Sequence, residues 1–393
     1  MEKIIVRDFG PINELNIEIK RFTVFIGTQG SGKSTISKLL TICRDIYWRT
    51  IVSQDGDVSK FFTNYGINTY FRKSTYIEYT HNDLVITYVD GKFSGKKQGC
   101  TQEEYKEHQE MILSATVSAM AHAMGYEKID DLKENISDAR LFLANIRTLM
   151  YIPAERIMAG QLASSLASLL VANVPLGNSL MEYLSFFEKA QKEFPNYEVP
   201  FLGSKFVIKD GERYIKKVEE ASEELIPLSV CSSGLQSVFP MLMVIEYCVK
   251  NKYFDSFVIE EPELNLYPTN QRELLRFVLQ RYNNVNENGG INVILTTHSP
   301  YTLSVLNVAL MANIVAEDAD FEKEVDEIVP KDERMSFNDL AVYALSEDDQ
   351  LCCKNILDTK TKLIGMNSLD AVSDIIGSDF RKLQQLYLKH LKK

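Results

Sequence analysis

Long apolar runs are absent from this sequence of 393 residues. The longest helix-like apolar run, residues 162–174, falls short of the roughly 18 residues that a membrane-spanning helix needs. The first residues also lack the basic stretch followed by an apolar stretch that marks a secretion signal. We therefore expect a chain that neither spans a membrane nor leaves the cytoplasm.

Paired cysteines are missing as well. The six cysteines form no C-x-x-C pair and have no histidines at zinc-site spacing. This spacing indicates neither a disulfide framework nor a zinc knuckle, and it favours a reducing cytoplasm. Repeats, low-complexity segments and linkers rich in Gly, Ser or Pro are also lacking, so composition alone shows no clean domain boundary. With 45% hydrophobic and 25% charged residues, the chain has the composition of a globular protein with a large core.

The sequence also has no excess of basic residues. It has 54 acidic and 43 basic residues, and its net charge is -11. Phosphate binding needs a positive field, so we exclude a protein that coats nucleic acid with its whole surface. The net charge does not exclude a local basic groove, so DNA remains a candidate ligand. Basic residues cluster at three places: Lys92, Lys96 and Lys97; Arg213, Lys216 and Lys217; and Arg381, Lys382, Lys389, Lys392 and Lys393. The simplest interpretation of each cluster is solvated surface charge.

Strand and helix patterns alternate along the chain and predict an α/β fold. Residues 3–7 and 15–19 alternate like antiparallel strands, whereas the continuous apolar run 22–26 is typical of a strand buried on both faces of a sheet. A helix should follow over 34–48, then short strands within 76–89 and a hairpin over 206–215. The last part should alternate as helix 233–250, strand 256–260, helix 269–282, strand 291–296 and helix 301–311.

These patterns predict three parts. Residues 1–100 and 201–393 would form the two halves of one α/β unit, and 101–200, which carries helical periodicity over 101–148 and 161–193, would be a mainly helical insertion. The end of the chain predicts an apolar and basic helix with Phe380, Leu383, Leu386, Leu388 and Leu391. That helix either packs on the rest of the protein or binds a partner or DNA.

A complete G-x-x-x-x-G-K-[ST] motif spans residues 27–34, directly after the buried-strand pattern and before a helix pattern. Glycines let successive backbone N–H groups turn towards phosphates, and the helix N-terminus favours anions. Lys33 would reach the β- and γ-phosphates, and the Ser34 hydroxyl would ligate Mg²⁺. Thr35 either bonds the α-phosphate or only starts the helix. The predicted nucleotide-binding residues of this loop are Gly27, Gln29, Gly30, Ser31, Gly32, Lys33, Ser34 and Thr35.

Adjacent carboxylates end the apolar strand pattern 256–260. A nucleotide-bound Mg²⁺ needs a carboxylate in its coordination sphere, and hydrolysis needs a group that orients the attacking water. Glu260 and Glu261 can supply both. His298 follows the next strand pattern, at the sheet edge where ligands bind in open α/β sheets, and would contact the γ-phosphate and the water.

A second anion site is indicated by Ser233 and Gly234, which open an apolar helix. One triphosphate seldom needs two such sites in one chain. We therefore expect these residues to serve the nucleotide of a partner subunit.

In this order, the four elements resemble those of ABC-type ATPases of the RecF, SMC, Rad50 and OLD branch, particularly the AAA-labelled ATPase subunits of bacterial anti-phage defence systems of the Septu and PARIS kinds. Walker A falls on 27–34, the ABC signature on 233–236, Walker B on Glu260 and the switch histidine on His298. The opening 4–12 and the segment 151–156 also resemble segments of that branch. The resemblance implies an α/β P-loop NTPase of ABC-ATPase type, with a mixed sheet, N-terminal antiparallel strands and a helical insertion.

The resemblance also assigns roles. Glu260 would support Mg²⁺, Glu261 would polarise the water, residues 263–265 would touch an opposing subunit, and Ser233 with Gly234 would complete the other protomer's ATP site. Two heads would then form a homodimer or a higher homo-oligomer around two ATP. Leu235 replaces the second glycine of the signature, which leaves close backbone approach there in doubt.

The glutamine loop has no secure match. Glu155 and Arg156 either occupy its place or form a structural ion pair.

The leading hypothesis is an ATPase that acts as a switch and controls a partner, a nuclease of HNH or Toprim type. A competing hypothesis is an OLD-like nuclease acting directly on DNA, with Asp318 and Asp320 as its metal-binding pair. The motor subunit of a transporter, a DNA clamp with coiled-coil arms and a small-molecule kinase are further hypotheses. Residues 101–200 are too short and too interrupted for long arms, and a kinase would not need the signature or the histidine.

Overall fold

The structure, a computed structural model, describes residues 1–123, 149–162, 177–218, 224–251, 253–284, 290–346, 353–365 and 377–384. The strands are β1 Glu2–Phe9, β2 Ile12–Ile19, β3 Phe22–Gly27, β4 Phe71–His81, β5 Leu84–Val89, β6 Lys92–Lys97, β7 Leu149–Ile152, β8 Asn196–Val199, β9 Ser204–Lys209, β10 Glu212–Lys217, β11 Ile226–Pro227, β12 Ser256–Glu260, β13 Asn292–Thr297, β14 Leu340–Leu345, β15 Cys353–Asn355, β16 Leu357–Asp358 and β17 Leu363–Ile364. The helices are α1 Lys33–Arg44, α2 Ile46–Ser53, α3 Ser59–Asn64, α4 Gln102–Ala123, α5 Met158–Leu162, α6 Asn178–Glu193, α7 Ser233–Lys250, α8 Pro268–Asn283, α9 Pro300–Val315 and α10 Glu322–Ile328.

A six-stranded central sheet has the order β15-β14-β3-β13-β12-β7. The neighbours from β14 to β7 pair in parallel, and β15 adds an antiparallel edge. Successive side chains of the parallel strands enter two different cores: Phe257 and Ile259 of β12 pack in one, and Val258 packs in the other. Burial on both faces explains why these strands are continuously apolar in sequence.

A second sheet, antiparallel in the order β2-β1-β4-β5-β6, covers α1 and α2 on one side of the central sheet. Helices α6, α7, α8 and α9 and the small sheet β11-β10-β9-β8 share the core on the other side. The predicted α/β fold with a mixed sheet and N-terminal antiparallel strands is therefore confirmed. Within the described residues, no helix combines the length and the apolarity that crossing a membrane requires.

Several predicted elements match closely and some do not. Helix 233–250 and strand 256–260 are confirmed at both ends. The single helix predicted over 34–48 is wrong, because Asp45 ends α1 and caps α2, its side chain accepting from the N–H of Trp48 at 3.1 Å. Strand β6 carries no pattern that predicts it. Strand β14 is a continuous apolar run that the sequence analysis does not assign as a strand.

The predicted helical insertion 101–200 contains β7, which forms an edge strand of the central sheet, so this part of the range is not helical. Helices α4 and α6 do lie in the range, whereas residues 124–148 and 163–176 are outside the described part of the chain. Of the predicted C-terminal helix, residues 377–384 are helical, and Phe380 and Leu383 are exposed there. Leu386, Leu388 and Leu391 lie outside the described residues.

Candidate functional site

The glycine-rich loop joins the end of β3 to the start of α1. Gly30 and Gly32 adopt positive φ values of 82° and 95°, and Gly32 is the N-cap of α1. Gly27, at φ 151°, lies against β14: a β-carbon there would stand 2.3 Å from the carbonyl oxygen of Leu345. Only glycine fits this close backbone approach, which explains the first glycine of the motif.

Lys33 lies inside the curve of this loop. It is buried, and its Nζ donates to the carbonyl oxygens of Gly27 at 3.0 Å and Thr28 at 2.7 Å. The Ser31 hydroxyl donates to the Thr28 carbonyl at 2.9 Å and closes the turn. The loop therefore places a cation and the N–H groups of a helix N-terminus around one concave point, an arrangement suited to phosphate.

A cleft of about 650 Å³ opens over the loop. Its lining includes Gln29, Gly30, Gly32, Lys33, Ser34 and Thr35 from the loop and α1, and Glu261 and His298 from the neighbouring strand ends. These residues meet because β3, β12 and β13 are parallel, with Ile26 opposite Thr297 and Glu260 opposite Thr296. The carboxyl ends of the strands therefore share one edge of the sheet, as the sequence predicts.

Glu260 is almost completely buried, with 4% of its surface exposed. Its Oε2 accepts weakly from the N–H of Ala154 at 3.4 Å. Tyr151 of β7 faces this carboxylate, and burial first and the charge of Glu260 next raise the pKa of Tyr151 well above its ordinary value. Neither the Tyr151 hydroxyl nor Oε1 of Glu260 has another hydrogen-bond partner in the described residues.

A carboxylate oxygen that is buried and without a second partner fits a role beside Mg²⁺, directly or through water. The described residues contain no cluster of three or more His, Cys, Asp or Glu side chains that could hold a metal by themselves. Mg²⁺ takes few protein ligands and otherwise binds waters and phosphate oxygens. Ser34, which is exposed in the cleft, and Glu260 are the residues that fit it.

Glu261 and His298 lie beside each other in the cleft, with Glu261 Oε1 3.5 Å from His298 Nε2. Glu261 has φ +44°, in the left-handed region, and its N–H donates to the Thr296 carbonyl at 2.9 Å. A non-glycine residue in this conformation costs on the order of 1–3 kcal/mol and persists only when its surroundings hold it. The turn after β12 therefore directs the Glu261 side chain into the cleft.

Arg156 stabilises the backbone of this turn. It is fully buried, and its guanidinium donates to the carbonyl oxygens of Pro153, Glu260 and Glu261. Burial lowers the pKa of Arg156, against the raising effect of Tyr183 and the nearby glutamates. The expected ion pair with Glu155 is not among the described contacts, because Arg156 binds main-chain carbonyls instead. That Glu155 and Arg156 occupy the place of the glutamine loop stays a prediction.

Glu263 fixes the other side of the site. Its Oε1 accepts from the Thr297 hydroxyl at 2.6 Å and from the N–H of His298 at 2.9 Å. These bonds tie the turn after β12 to the end of β13, and so set the position of His298. The expected contact of residues 263–265 with a second subunit stays a prediction.

Ser233 and Gly234 do not line the cleft. They start α7, where Ser233 is exposed and Gly234 is buried against the backbone of Asn265. A β-carbon on Gly234 would stand 2.7 Å from the carbonyl oxygen of Asn265, so this glycine is also required by close packing. Within one chain the signature residues are thus separate from the phosphate-binding loop.

Sequence reasoning misses three residues around the site: Tyr151, Tyr70 and Arg72. Tyr70, just before β4, and Arg72 of β4 line the cleft. These two carry no motif, and Tyr151 is signalled only by the resemblance of its segment to one of the ATPase branch. Their position depends on pairing between distant strands, which no local signal specifies.

Comparison with known proteins gives one family. A profile described as AAA ATPase domain matches residues 67–303, more than half of the chain; the matched range contains Glu260, Glu261 and His298 and begins after the glycine-rich loop. No curated protein gives a significant match.

Three solved structures of low sequence identity are similar in part. An Smc head bound to the C-winged helix domain of ScpA has a TM-score of 0.43 and 13% identity, over 92% of this chain and 99% of that one. A Pyrococcus furiosus Smc head with an extended coiled coil, bound to the C-terminal domain of ScpA, has a TM-score of 0.40 and 14% identity, over 96% and 99%. An SMC head domain from Thermotoga maritima has a TM-score of 0.35 and 12% identity, over 77% and 90%. Similarity this remote specifies no ligand or partner.

The family match and the cleft agree with each other. The match covers the strand ends that carry the two glutamates and the histidine, and the structure brings them to the complete G-x-x-x-x-G-K-[ST] loop. The chain belongs to the AAA ATPase domain family and is an ATPase.

Proposed function

We propose that this ATPase is a switch: two copies clamp head to tail around two ATP molecules, and hydrolysis releases them. The observation that supports this best is the division of the site. Lys33, Glu261 and His298 share one cleft, whereas Ser233 and Gly234 stand apart at the start of α7. A helix N-terminus with an exposed serine is suited to an anion, and in a head-to-tail pair the ATP of the second molecule would supply one.

Within each cleft, the roles follow from position. Lys33 neutralises the β- and γ-phosphates, and the backbone N–H groups of residues 30–34 surround them. Ser34 and Glu260 would hold Mg²⁺, which would supply charge neutralisation of the phosphates. Glu261 orients the attacking water, and His298, 3.5 Å from it, contacts the γ-phosphate.

We further propose that the switch controls a partner nuclease, in anti-phage defence or DNA processing. The resemblance to defence ATPases supports this role. The alternative of an OLD-like nuclease in the same chain finds less support, because Asp318 and Asp320 lie in an exposed turn after α9, where the Asp320 N–H donates to Asp318 at 3.0 Å. An exposed turn away from a strand end, in which one of the two carboxylates already accepts from the backbone, is a poor metal site. A transporter motor would need a separate membrane permease.

The test is the solution mass of Glu261→Gln protein with and without Mg-ATP, measured by light scattering. Removing the water-orienting carboxylate should keep ATP bound and trap the clamped state, so the mass should double only with ATP. Lys33→Ala, which loses the phosphate contact, should stay unchanged. Ser233→Arg in the Glu261→Gln background should bind ATP and fail to double. If Glu261→Gln protein binds ATP without a change in mass or shape, the switch hypothesis is wrong and a self-contained P-loop enzyme is the better description.

A further inference from the structure

Two separate turns carry the side chains proposed to act on the attacking water. Glu261 begins the turn after β12, and His298 follows β13. Glu261 Oε1 lies 3.5 Å from His298 Nε2. The pairing of β12 with β13 ends where Glu260 lies opposite Thr296, so contacts beyond the strands must fix the separation of the two side chains.

Gln271, in the first turn of α8, bonds to both segments. Its Nε2 donates to the carbonyl oxygen of Leu266 at 2.9 Å, and its Oε1 accepts from the hydroxyl of Ser299 at 2.6 Å. A carbonyl oxygen can only accept, so the bond to Leu266 fixes which end of the amide carries the nitrogen. The amide of Gln271 therefore joins the end of the turn after β12 to the residue that follows His298.

Ser299 is held firmly at the start of α9, with 6% of its surface exposed. Its hydroxyl oxygen accepts from the N–H of Tyr301 at 3.2 Å, which leaves the hydroxyl proton for Gln271. The N–H of Ser299 donates to the Thr297 hydroxyl at 2.9 Å. Because both its main chain and its side chain are bonded, Ser299 restricts the backbone of His298 next to it.

Leu266 connects the other end of the amide to Glu261. The N–H of Leu266 donates to the Glu263 carbonyl at 3.0 Å, and the N–H of Leu264 donates to the Glu261 carbonyl at 3.0 Å. Two successive tight turns therefore lead from Leu266 back to Glu261. A displacement of the Leu266 carbonyl would shift the turn that directs Glu261 into the cleft.

We infer that Gln271 is a positioning residue of this ATPase: its amide bridges Leu266 and Ser299, and so fixes the separation of Glu261 and His298. This inference rests on the proposed roles of those two residues in hydrolysis. Gln271 itself does not line the cleft, so its effect on the reaction passes through its two bonds.

The bridge complements the bonds of Glu263. Glu263 accepts from the Thr297 hydroxyl and from the N–H of His298, and so fixes the chain up to His298. Gln271 fixes Ser299, on the other side of His298 in sequence. The histidine is therefore held from both directions along the chain, and each of the two bonds comes from the segment that follows β12.

The experiment compares ATP hydrolysis with the binding of a non-hydrolysable ATP analogue and Mg²⁺, measured by titration calorimetry. Gln271→Met keeps most of the side chain's length and loses both bonds. Its kcat should fall about tenfold to a hundredfold, because a displacement of about 1 Å at a catalytic group can lower the rate about a hundredfold. The Kd of the analogue should change less than about threefold, since an interaction that acts only on the transition state leaves ground-state binding intact.

Matched variants isolate the bridge. Gln280 lies on the same helix, and its Nε2 donates to Glu333 at 3.0 Å, outside the lining of the cleft. Gln280→Met should leave kcat and affinity unchanged. Ser299→Ala removes the hydroxyl that donates to Gln271, so it should lower kcat as well. Because both changes remove one shared bond, Gln271→Met combined with Ser299→Ala should lose no more than the larger of the two single losses.

A second readout reports on the position of His298 directly. The chain has five histidines, and His298 can be assigned in ¹⁵N-histidine-labelled protein by the signals that His298→Gln removes. Gln271→Met should shift the backbone amide and imidazole signals of His298. Gln280→Met should leave them in place, because its bond to Glu333 lies away from the cleft.

Each outcome supports or overturns the bridge. It is wrong if Gln271→Met keeps the natural kcat, if Gln280→Met loses as much, or if the losses of Gln271→Met and Ser299→Ala add. If Gln271→Met does not fold, Ser299→Ala tests the same bond with both readouts. If Glu261→Gln and His298→Gln hydrolyse ATP normally, the proposed roles fail. That failure is distinct, because the signals of His298 still show whether Gln271 positions it.

Discussion

Replacing Arg156 by methionine should damage both stability and turnover. The guanidinium supplies the bonds to the carbonyls of Pro153, Glu260 and Glu261, and each bond to a charged donor contributes about 1.5–3 kcal/mol. Methionine fills much of the same space. It also removes the desolvation cost of a buried charge, and this gain offsets several kcal/mol of the lost hydrogen-bond energy. We therefore expect a net loss of about 3 kcal/mol in the free energy of unfolding.

The effect on catalysis comes from the turn itself. Without the bonds from Arg156, the turn can relax and release Glu261 from its left-handed conformation at φ +44°. A displacement of about 1 Å at a catalytic group can lower the rate about a hundredfold. Because the phosphate loop is untouched, kcat for ATP hydrolysis should fall by that order while KM changes less than about threefold.

The measurements are urea unfolding and steady-state ATPase kinetics, with Arg334→Met as a matched control. Arg334 is also buried, 6% exposed, and it pairs with Glu322 at 3.0 Å and Asp326 at 3.1 Å, away from the cleft. Arg334→Met should lower stability and leave kcat unchanged. Arg156→Met protein that is as stable and as active as the natural protein would refute the reasoning, and so would an equal loss of kcat in Arg334→Met.

Gly27→Ala should abolish ATP binding and destabilise the fold by about 2 kcal/mol or more, because the new β-carbon would stand 2.3 Å from the Leu345 carbonyl oxygen; calorimetric titration and urea unfolding measure both effects. Glu2→Gln should flatten the loss of stability in acid. Burial raises the pKa of Glu2, but its hydrogen bonds and ion pair with Arg44 outweigh burial and lower that pKa below 4.5. The pair therefore stabilises the fold fully above about pH 4.5, and this contribution is lost as the pH falls through the folded pKa, as unfolding at a series of pH values will show.

Controls separate these effects from general damage. Gly177→Ala places a methyl group where the nearest atom is 4.0 Å away and should change stability by less than about 0.5 kcal/mol. Normal ATP binding by Gly27→Ala would contradict the first prediction. An acid unfolding profile of Glu2→Gln parallel to that of the natural protein would contradict the second.

Local patterns were enough for much of the fold and of the site. The loop 27–34, the glutamates at the end of β12 and the histidine after β13 are each short segments in a strand-loop or strand-loop-helix context. Parallel strands bring their carboxyl ends to one edge, so predicting the strands also predicts that Lys33, Glu261 and His298 meet. Continuous apolar runs identified the strands buried on both faces.

Other features were decided only by tertiary structure. Strand β7 is four residues long and lies inside the predicted helical insertion, between its two stretches of helical periodicity, and pairing with β12 made it a strand. Arg156 acts on a turn 104 and 105 positions away in sequence, and Tyr70 reaches the cleft because its segment packs on the β1–β2 turn. Periodicity and motifs report on neighbours in sequence. The bonds from Arg156 to the turn of Glu261 and the position of Tyr70 in the cleft depend on contacts between distant segments, and these exist only once the sheets have assembled.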